Sequence, residues 1–161
     1  RIGLNRCLPE AIFTLNRNYP GLVEAFPDEA SDLAEFLADV EPQSVLAIGD
    51  MYFVSTQEGA GSRPMANDIV NLDFEGFFAS GKKFDSTIDR KEPFEYTVGE
   101  SGQVLLGFNI GVRQLKEGGE ALFVLPAHMA FDKRGSTDGT VPPNTTVIYR
   151  VQLNQIIRNE S

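Results

Sequence analysis

The first third of the chain alternates apolar and polar residues with a period that predicts helices. In residues 28–40, DEASDLAEFLADV, four apolar side chains fall on one stripe at helical spacing: Leu33, Phe36, Leu37 and Val40. Asp28 follows a proline and is expected to cap the first turn of this helix. A weaker helical pattern covers residues 9–17, with Pro9 in the first turn, where proline is tolerated.

Beyond Pro42 the pattern changes to the period of β-strands. Five segments rich in β-branched and aromatic residues are predicted strands: 51–56, 68–78, 93–98, 120–126 and 145–156. In the last of them one face carries Val147, Tyr149, Val151 and Leu153, while Ile148 points to the other. Residues 104–115, VLLGFNIGVRQL, return to helical spacing and predict one short internal helix. Many strands with few helices predict an α+β fold.

Charge and cysteine content remove several classes of protein from consideration. The 161-residue chain has a formal net charge of −9, which argues against nucleic acid or an anionic membrane surface as partner. No apolar run reaches the roughly 18 residues that a membrane-spanning helix needs. The single cysteine, Cys7, excludes an internal disulfide framework, and we expect it to be a buried or disordered thiol.

One charged segment, GKKFDSTIDRKEPFEY at residues 81–96, carries two large apolar rings, Phe84 and Phe94, on either side of its run of charges. The segment belongs to an ordered series of motifs: VNLDFEGFFASGKKFDST (70–87), DRKEPFEYTVG (89–99), QVLLGFNIGVRQLKEGGEALFVLP (103–126) and GTVPPNTTVIYRVQLNQI (139–156). In this order the motifs resemble the FKBP family of peptidyl-prolyl cis-trans isomerases. The resemblance covers roughly residues 50–158.

The resemblance implies an antiparallel half-barrel of five or six strands wrapped over one short helix. We therefore expect residues 1–45 to form a helical extension and residues 46–161 to form the isomerase domain. The extension has two interpretations. Its helices either dimerise or hold a client protein, as in the branch that resembles macrophage infectivity potentiator, or they pack against the half-barrel. We favour packing, since about 45 residues rarely form a domain alone.

The resemblance also implies a concave aromatic pocket and assigns residues to it. The residues implied in catalysis are Asp85, Phe94, Leu105 (through its backbone N–H) and Phe131. The residues implied in substrate binding are Phe74, Phe84, Arg90, Val104, Phe108, Val141 and Tyr149, with Arg90 bracing the loop of Asp85. No cofactor and no metal ion are implied. The lone histidine, His128, is expected to be solvated or locally bonded.

Isomerisation of an X-Pro bond breaks no σ bond, because the obstacle is amide resonance with a barrier of about 18–20 kcal/mol. Shortening an uncatalysed exchange of ~100 s to ~1 ms requires roughly 7 kcal/mol. A dry apolar pocket favours the twisted amide, which has lost the charge separation of the planar form, so the pocket binds the transition state better than the ground state.

Three positions depart from the family pattern. Phe108 stands where the family usually has tryptophan, Phe131 lacks a tyrosine hydroxyl, and Phe74 replaces the common tyrosine. Losing one hydrogen bond costs about 0.5–1.5 kcal/mol, so we expect reduced but real activity. The alternative is an FKBP-like module that binds peptides or a partner with little or no turnover.

The expected partners are proline-containing peptides or unfolded proteins, and macrolides of the tacrolimus type bound weakly. The acidic surface disfavours acidic clients. Because the sequence begins at Arg1 rather than methionine, we expect that something was removed from its front, either in the cell or during cloning. A leader removed in the cell would mean export. This favours an extracytoplasmic location, in a bacterial periplasm or tethered to lipid, for a folding factor of chaperone type; a cytoplasmic location remains the alternative.

Overall fold

In the computed structural model, the structure describes residues 8–100 and 102–158. Cys7 lies outside them. There are five α-helices in this part of the chain: α1 Leu8–Asn18, α2 Leu22–Ala25, α3 Ala30–Phe36, α4 Thr87–Arg90 and α5 Leu106–Gln114. Short 3₁₀ helices cover Pro27–Glu29 and Ala127–Met129. The strands are β1 Ser44–Ile48, β2 Met51–Gln57, β3 Ile69–Phe78, β4 Lys83–Ser86, β5 Phe94–Thr97, β6 Glu120–Leu125 and β7 Val147–Ile157.

All seven strands form one antiparallel sheet. Six of them follow the order β1-β2-β6-β7-β3-β4, and β5 also pairs with β3, at a different part of that strand from β4. The longest pairing joins β3 to β7 and sets Phe74 opposite Val151 and Gly76 opposite Tyr149. The α+β class and the half-barrel over one short helix are thus confirmed. The sheet has seven strands, more than the five or six that the resemblance implies, and β1 and β4 are the two strands that the sequence pattern does not predict.

The predicted helix over residues 28–40 is shorter than its apolar stripe. Pro27–Glu29 form a 3₁₀ turn, and no side-chain hydrogen bond caps the α-helix that follows, so the expected capping role of Asp28 is wrong. After Phe36 the chain forms a 3₁₀-type turn, because the N–H of Val40 donates a hydrogen bond to the carbonyl oxygen of Leu37, three residues earlier. The stripe is nevertheless the packing face: Leu33 and Leu37 are buried.

The concave face of the sheet carries the larger apolar cluster, which α5 closes. Val147, Tyr149 and Val151 of β7 belong to this cluster, whereas Ile148 belongs to the cluster on the opposite face. α5 approaches β6 closely at Gly111, where an added Cβ would lie 2.6 Å from the Phe123 ring. The alternation predicted for this strand is therefore confirmed, and it separates two cores.

The convex face is covered by helices α1 to α3. Their apolar side chains share a cluster with strand residues that include Tyr52, Leu122 and Ile148. The Tyr52 hydroxyl donates a hydrogen bond to the carbonyl oxygen of Pro20 at 2.8 Å. The extension thus packs on the half-barrel. β1 begins at Ser44, so the division expected between residues 45 and 46 falls inside this strand and stays a prediction.

Among residues 8–100 and 102–158, no helix is both long enough and apolar enough to span a bilayer.

Candidate active site

Five aromatic side chains from separate elements meet on the concave face. β3 supplies Phe74, β5 supplies Phe94, α5 supplies Phe108, β7 supplies Tyr149, and the loop after β6 supplies Phe131. The Phe74 ring stands edge-on to three others, at centroid distances of 5.8 Å from Phe94, 5.5 Å from Phe108 and 5.7 Å from Tyr149. Edge-to-face pairs place a positive ring edge against a negative ring face, which fixes each ring in orientation.

These rings surround a hollow of about 480 Å³ that is open to solvent at one side. Val104 and Leu105, which precede α5, complete its apolar wall. The volume lies in the range of small-molecule sites and exceeds that of one proline ring, so neighbouring substrate residues fit as well. The floor is Phe108, which is only 3% exposed.

A second hollow, of about 460 Å³, adjoins the first and shares Phe131 and Thr137 with it. Its lining includes Phe84, Asp85, Arg90 and Val141. Phe84 and Tyr149 meet edge-on at 5.8 Å, so these two rings form part of the wall between the hollows. Every site residue expected from the sequence therefore lies in one hollow or the other. Their individual roles stay predictions.

Asp85 and Arg90 are paired as expected. The carboxylate of Asp85 accepts a hydrogen bond from an Nη of Arg90 and a second from the backbone N–H of Ser86 at 2.9 Å. Both side chains are partly exposed, so the ion pair contributes little stability in itself. What the pair does is hold a carboxylate at the edge of an apolar wall.

The start of α5 offers an unused hydrogen-bond donor beside the pocket. Leu105 is extended, and its carbonyl oxygen accepts the N–H of Asn109 at 3.0 Å. The N–H of Leu105 itself has no partner within the described part of the chain. The first N–H groups of a helix are unpaired and carry partial positive charge, so this end of α5 suits a carbonyl oxygen of a ligand.

Two hydrogen bonds fix the mouth of the pocket by joining β5 to the α5 region. Gln103 Oε1 accepts the N–H of Thr97 at 2.9 Å. The Tyr96 hydroxyl donates to Asn109 Oδ1 at 2.9 Å, and the Tyr96 ring stacks on Phe94 at 5.8 Å. Burial raises the pKa of Tyr96 far above its ordinary value, with a small opposing effect from Arg113.

Sequence reasoning missed three polar residues that line or shape the site. Thr137 faces both hollows and Gln103 lines the first. Thr87 is fully buried: its hydroxyl accepts the backbone N–H of Phe74 at 2.9 Å and donates to Asp73 at 2.8 Å. The signal for Thr87 was its place directly after the FDS motif, where Ser86 caps α4; no local pattern marks the other two.

His128 is locally bonded, as expected. Its Nε2 lies 2.9 Å from Asp50 Oδ2, and both side chains are largely exposed. The contact ties the turn between β1 and β2 to the 3₁₀ helix that leads to Phe131.

Comparisons with known proteins all point to one family. The family model for FKBP-type peptidyl-prolyl cis-trans isomerase matches residues 61–154. FK506-binding protein 1 of Debaryomyces hansenii is 41% identical over 98 residues, which cover 60% of this chain and 86% of that protein. An FK506-binding protein of Neisseria meningitidis is 33% identical over 109 residues, covering 68% of this chain and 98% of that protein.

Among solved structures, FkpA from Escherichia coli superposes with a TM-score of 0.66 at 25% identity. The match covers 83% of this chain but 61% of the FkpA chain, so part of FkpA has no counterpart in the aligned residues.

Proposed function

This chain belongs to the FKBP-type peptidyl-prolyl cis-trans isomerase family, and we propose that it binds the proline of its substrates in the hollow lined by Phe74, Phe94, Phe108, Phe131 and Tyr149. It is an enzyme that accelerates rotation about X-Pro bonds. The observation that carries the assignment to this hollow is the convergence of five rings, from four secondary-structure elements and one loop, on one cavity large enough for a prolyl residue.

The proposed mechanism is preferential binding of the twisted amide. The proline ring packs against Phe108 and Phe94, and the surrounding rings exclude water from the amide. Water stabilises the planar, charge-separated amide. Removing water therefore lowers the free-energy difference between the planar and the twisted amide. Polar contacts are expected from the free N–H of Leu105, which holds a substrate carbonyl, and from the Asp85 carboxylate in the adjoining hollow.

The preferred substrates have an apolar residue before proline. Leu106 follows the pocket residue Leu105 and is 61% exposed, which gives an apolar side chain a surface beside the mouth. The net charge of −9 repels acidic clients. Unfolded proteins display apolar X-Pro segments, so those that are not strongly acidic satisfy both requirements.

Macrolides of the tacrolimus type are proposed as weak ligands. Support comes from the names of the relatives, which record binding of FK506, and from the apolar hollow of this chain. Phe131 offers no hydroxyl to such a ligand, and this weakens the complex by about tenfold or less.

An extracytoplasmic location and a chaperone role for a bacterial folding factor are separate proposals. The 33% identity to an FK506-binding protein of the bacterium Neisseria meningitidis supports a bacterial source, whereas the relative from Debaryomyces hansenii has the higher identity of 41%. Fractionation of the source cells tests the location.

The test of the pocket is a protease-coupled isomerase assay on Leu-Pro and Phe-Pro tetrapeptides. Phe94→Ala removes one wall, and the loss of about 1.5–3 kcal/mol of apolar contact lowers kcat/KM by about 10- to 100-fold. Asp85→Val is expected to lower kcat/KM as well. Phe13→Ala is the matched control, since Phe13 lies on α1 with 66% of its surface exposed and its loss leaves the rate unchanged.

Circular dichroism establishes that each variant is folded. Full activity in folded Phe94→Ala would place the reaction elsewhere. Peptide binding by the wild type without any acceleration would favour the alternative, a binding module.

A further inference from the structure

The chain has four tyrosines, and their hydroxyl groups differ in their surroundings. Tyr52 donates to the Pro20 carbonyl oxygen and Tyr96 to Asn109. The hydroxyls of Tyr19 and Tyr149 have no hydrogen-bond partner among residues 8–100 and 102–158. Tyr19 lies beneath the helices on the convex face, so Tyr149 is the unpartnered tyrosine that lines the proposed active site.

The Tyr149 hydroxyl opens on the pocket although its ring is buried. The residue is 4% exposed, and its ring stands edge-on to Phe74, Phe84 and Phe108. In the described part of the chain, the one side-chain polar atom that is both fully enclosed and unpaired is the hydroxyl oxygen of Tyr19. The Tyr149 hydroxyl is therefore not sealed in the core, and the hollow that its side chain lines is where it reaches open space.

This hydroxyl differs from the other polar side chains of the same hollow. Gln103 and Thr137 also line it, but both are exposed at its rim, where water competes for their hydrogen bonds. A hydrogen bond made by a buried donor in an apolar site is stronger, because the local dielectric is low. The Tyr149 hydroxyl has no acceptor within the described part of the chain, so it is available to an acceptor that arrives with a ligand and excludes water from the hollow.

We propose that the Tyr149 hydroxyl donates a hydrogen bond to the proline nitrogen of the substrate as the amide twists. In a planar amide the nitrogen lone pair is delocalised and accepts no hydrogen bond; in the twisted amide the lone pair is localised on nitrogen. A bond that exists only in the twisted state lowers the barrier without tightening the binding of the planar substrate. This inference rests on the proposed function, because it places the reacting amide in this hollow.

The ionisation of Tyr149 is compatible with the role of donor. Burial raises the pKa of Tyr149 far above the ordinary value for a phenol, and the negative charge of Asp85 raises it further. The phenol therefore keeps its proton throughout the pH range in which the enzyme is assayed.

The test compares Tyr149→Phe with Tyr52→Phe, since each change removes one hydroxyl from a largely buried ring. For Tyr149→Phe we expect a five- to tenfold lower kcat/KM on a Leu-Pro peptide. The dissociation constant for that peptide, followed by NMR titration, stays within twofold, and Tm does not fall. Tyr52→Phe loses the bond to Pro20 on the convex face, so its Tm falls while kcat/KM is unchanged.

Each other result overturns the inference. A kcat/KM for Tyr149→Phe within twofold of wild type shows that the hydroxyl takes no part. A loss of activity matched by an equal loss of peptide binding, or accompanied by a fall in Tm, assigns the hydroxyl to ground-state binding or to structure. A wild-type protein without isomerase activity would instead contradict the proposed function, which the same assay reports separately.

Discussion

At the scale of single residues, Phe74 organises the pocket. Its ring contacts those of Phe94, Phe108 and Tyr149, and each such edge-to-face pair contributes about 0.5–1.5 kcal/mol beyond the area it buries. Its backbone is held by the buried hydroxyl of Thr87. Because Phe74 has no hydroxyl of its own, its contribution is positional, and the polar groups of the site come from its neighbours.

Tyr19 gives a prediction about stability at alkaline pH. Burial raises the pKa of Tyr19 from 10.0 to about 12. Below pH 10 the phenol is protonated in both the folded and the unfolded state, so its contribution to the free energy of unfolding is fully present. Between pH 10 and about 12 only the unfolded chain loses the proton, and the free energy of unfolding declines. Tyr19→Phe should therefore flatten the alkaline loss of stability, measured by urea unfolding at several pH values.

At neutral pH the same variant should be at least as stable as wild type, since the Tyr19 hydroxyl has no partner in the described chain. Tyr96→Phe is the control: its hydroxyl is bonded to Asn109, so the change should destabilise at neutral pH. An unchanged alkaline slope in Tyr19→Phe would show that this phenol is not the group that titrates.

The sequence predicted the aromatic side chains of the pocket but not the polar atoms that position them. Rings such as Phe84 and Phe94 stand in motifs that can be recognised along the chain. Gln103 is held at the site by a hydrogen bond from β5, and Thr137 is brought there by the path of a long loop. Neither residue has a local sequence pattern that marks it. The division of the site into two adjoining hollows is likewise a consequence of packing, since it depends on where Phe131 and Tyr149 meet the other rings.

At the scale of elements, α5 is placed by close contact with the sheet. Gly111 lets the helix approach until an added Cβ would lie 2.6 Å from Phe123. Alanine is the better helix former by about 1 kcal/mol. We predict that Gly111→Ala nevertheless destabilises the protein by roughly 1–3 kcal/mol, because helix or ring must move. Equilibrium urea unfolding measures the change.

Arg113→Ala is the companion variant in the same helix, since Arg113 is exposed and its replacement should change stability little. If Gly111→Ala proved as stable as Arg113→Ala, the result would contradict the close packing of α5 on β6 at Gly111.

Elements with a clear period were predicted from the sequence, and elements without one were not. The apolar spacing of α5 and the alternation along β7 identify both. β1, SVLAI, is an edge strand that is exposed or half-buried at every position, so no alternation marks it. β4 has four residues beside a charged segment, which favoured a turn. The start of α3 was misplaced because Pro27–Glu29 close a 3₁₀ turn before the α-helix begins.

At the scale of the whole molecule, one sheet separates two apolar cores. β2, β6 and β7 contribute alternate residues to each, for example Phe123 to the pocket side and Leu122 to the helical side. Thr146 also donates a hydrogen bond to Glu29 at 2.7 Å, which joins the extension to the start of β7. Because the two cores share these strands, disruption of one core would expose strands that the other core needs.

We predict that the helices and the half-barrel unfold in one transition. The chain has no tryptophan, so in a Tyr19→Phe, Tyr52→Phe double variant the fluorescence comes from Tyr96 and Tyr149 on the pocket side. Far-UV circular dichroism of the same variant includes the helices. The two urea curves should coincide, as two-state behaviour requires. A helical signal lost at lower urea than the fluorescence would mean that the extension folds as a separate unit.

The helices and the pocket occupy opposite faces of the sheet, and this determines how the protein can be handled on a surface. A biosensor chip or an affinity bead coupled through α1 would therefore carry the enzyme with its mouth directed toward the bulk solution. Coupling through Lys133, in the loop after Phe131, would instead press the opening against the support.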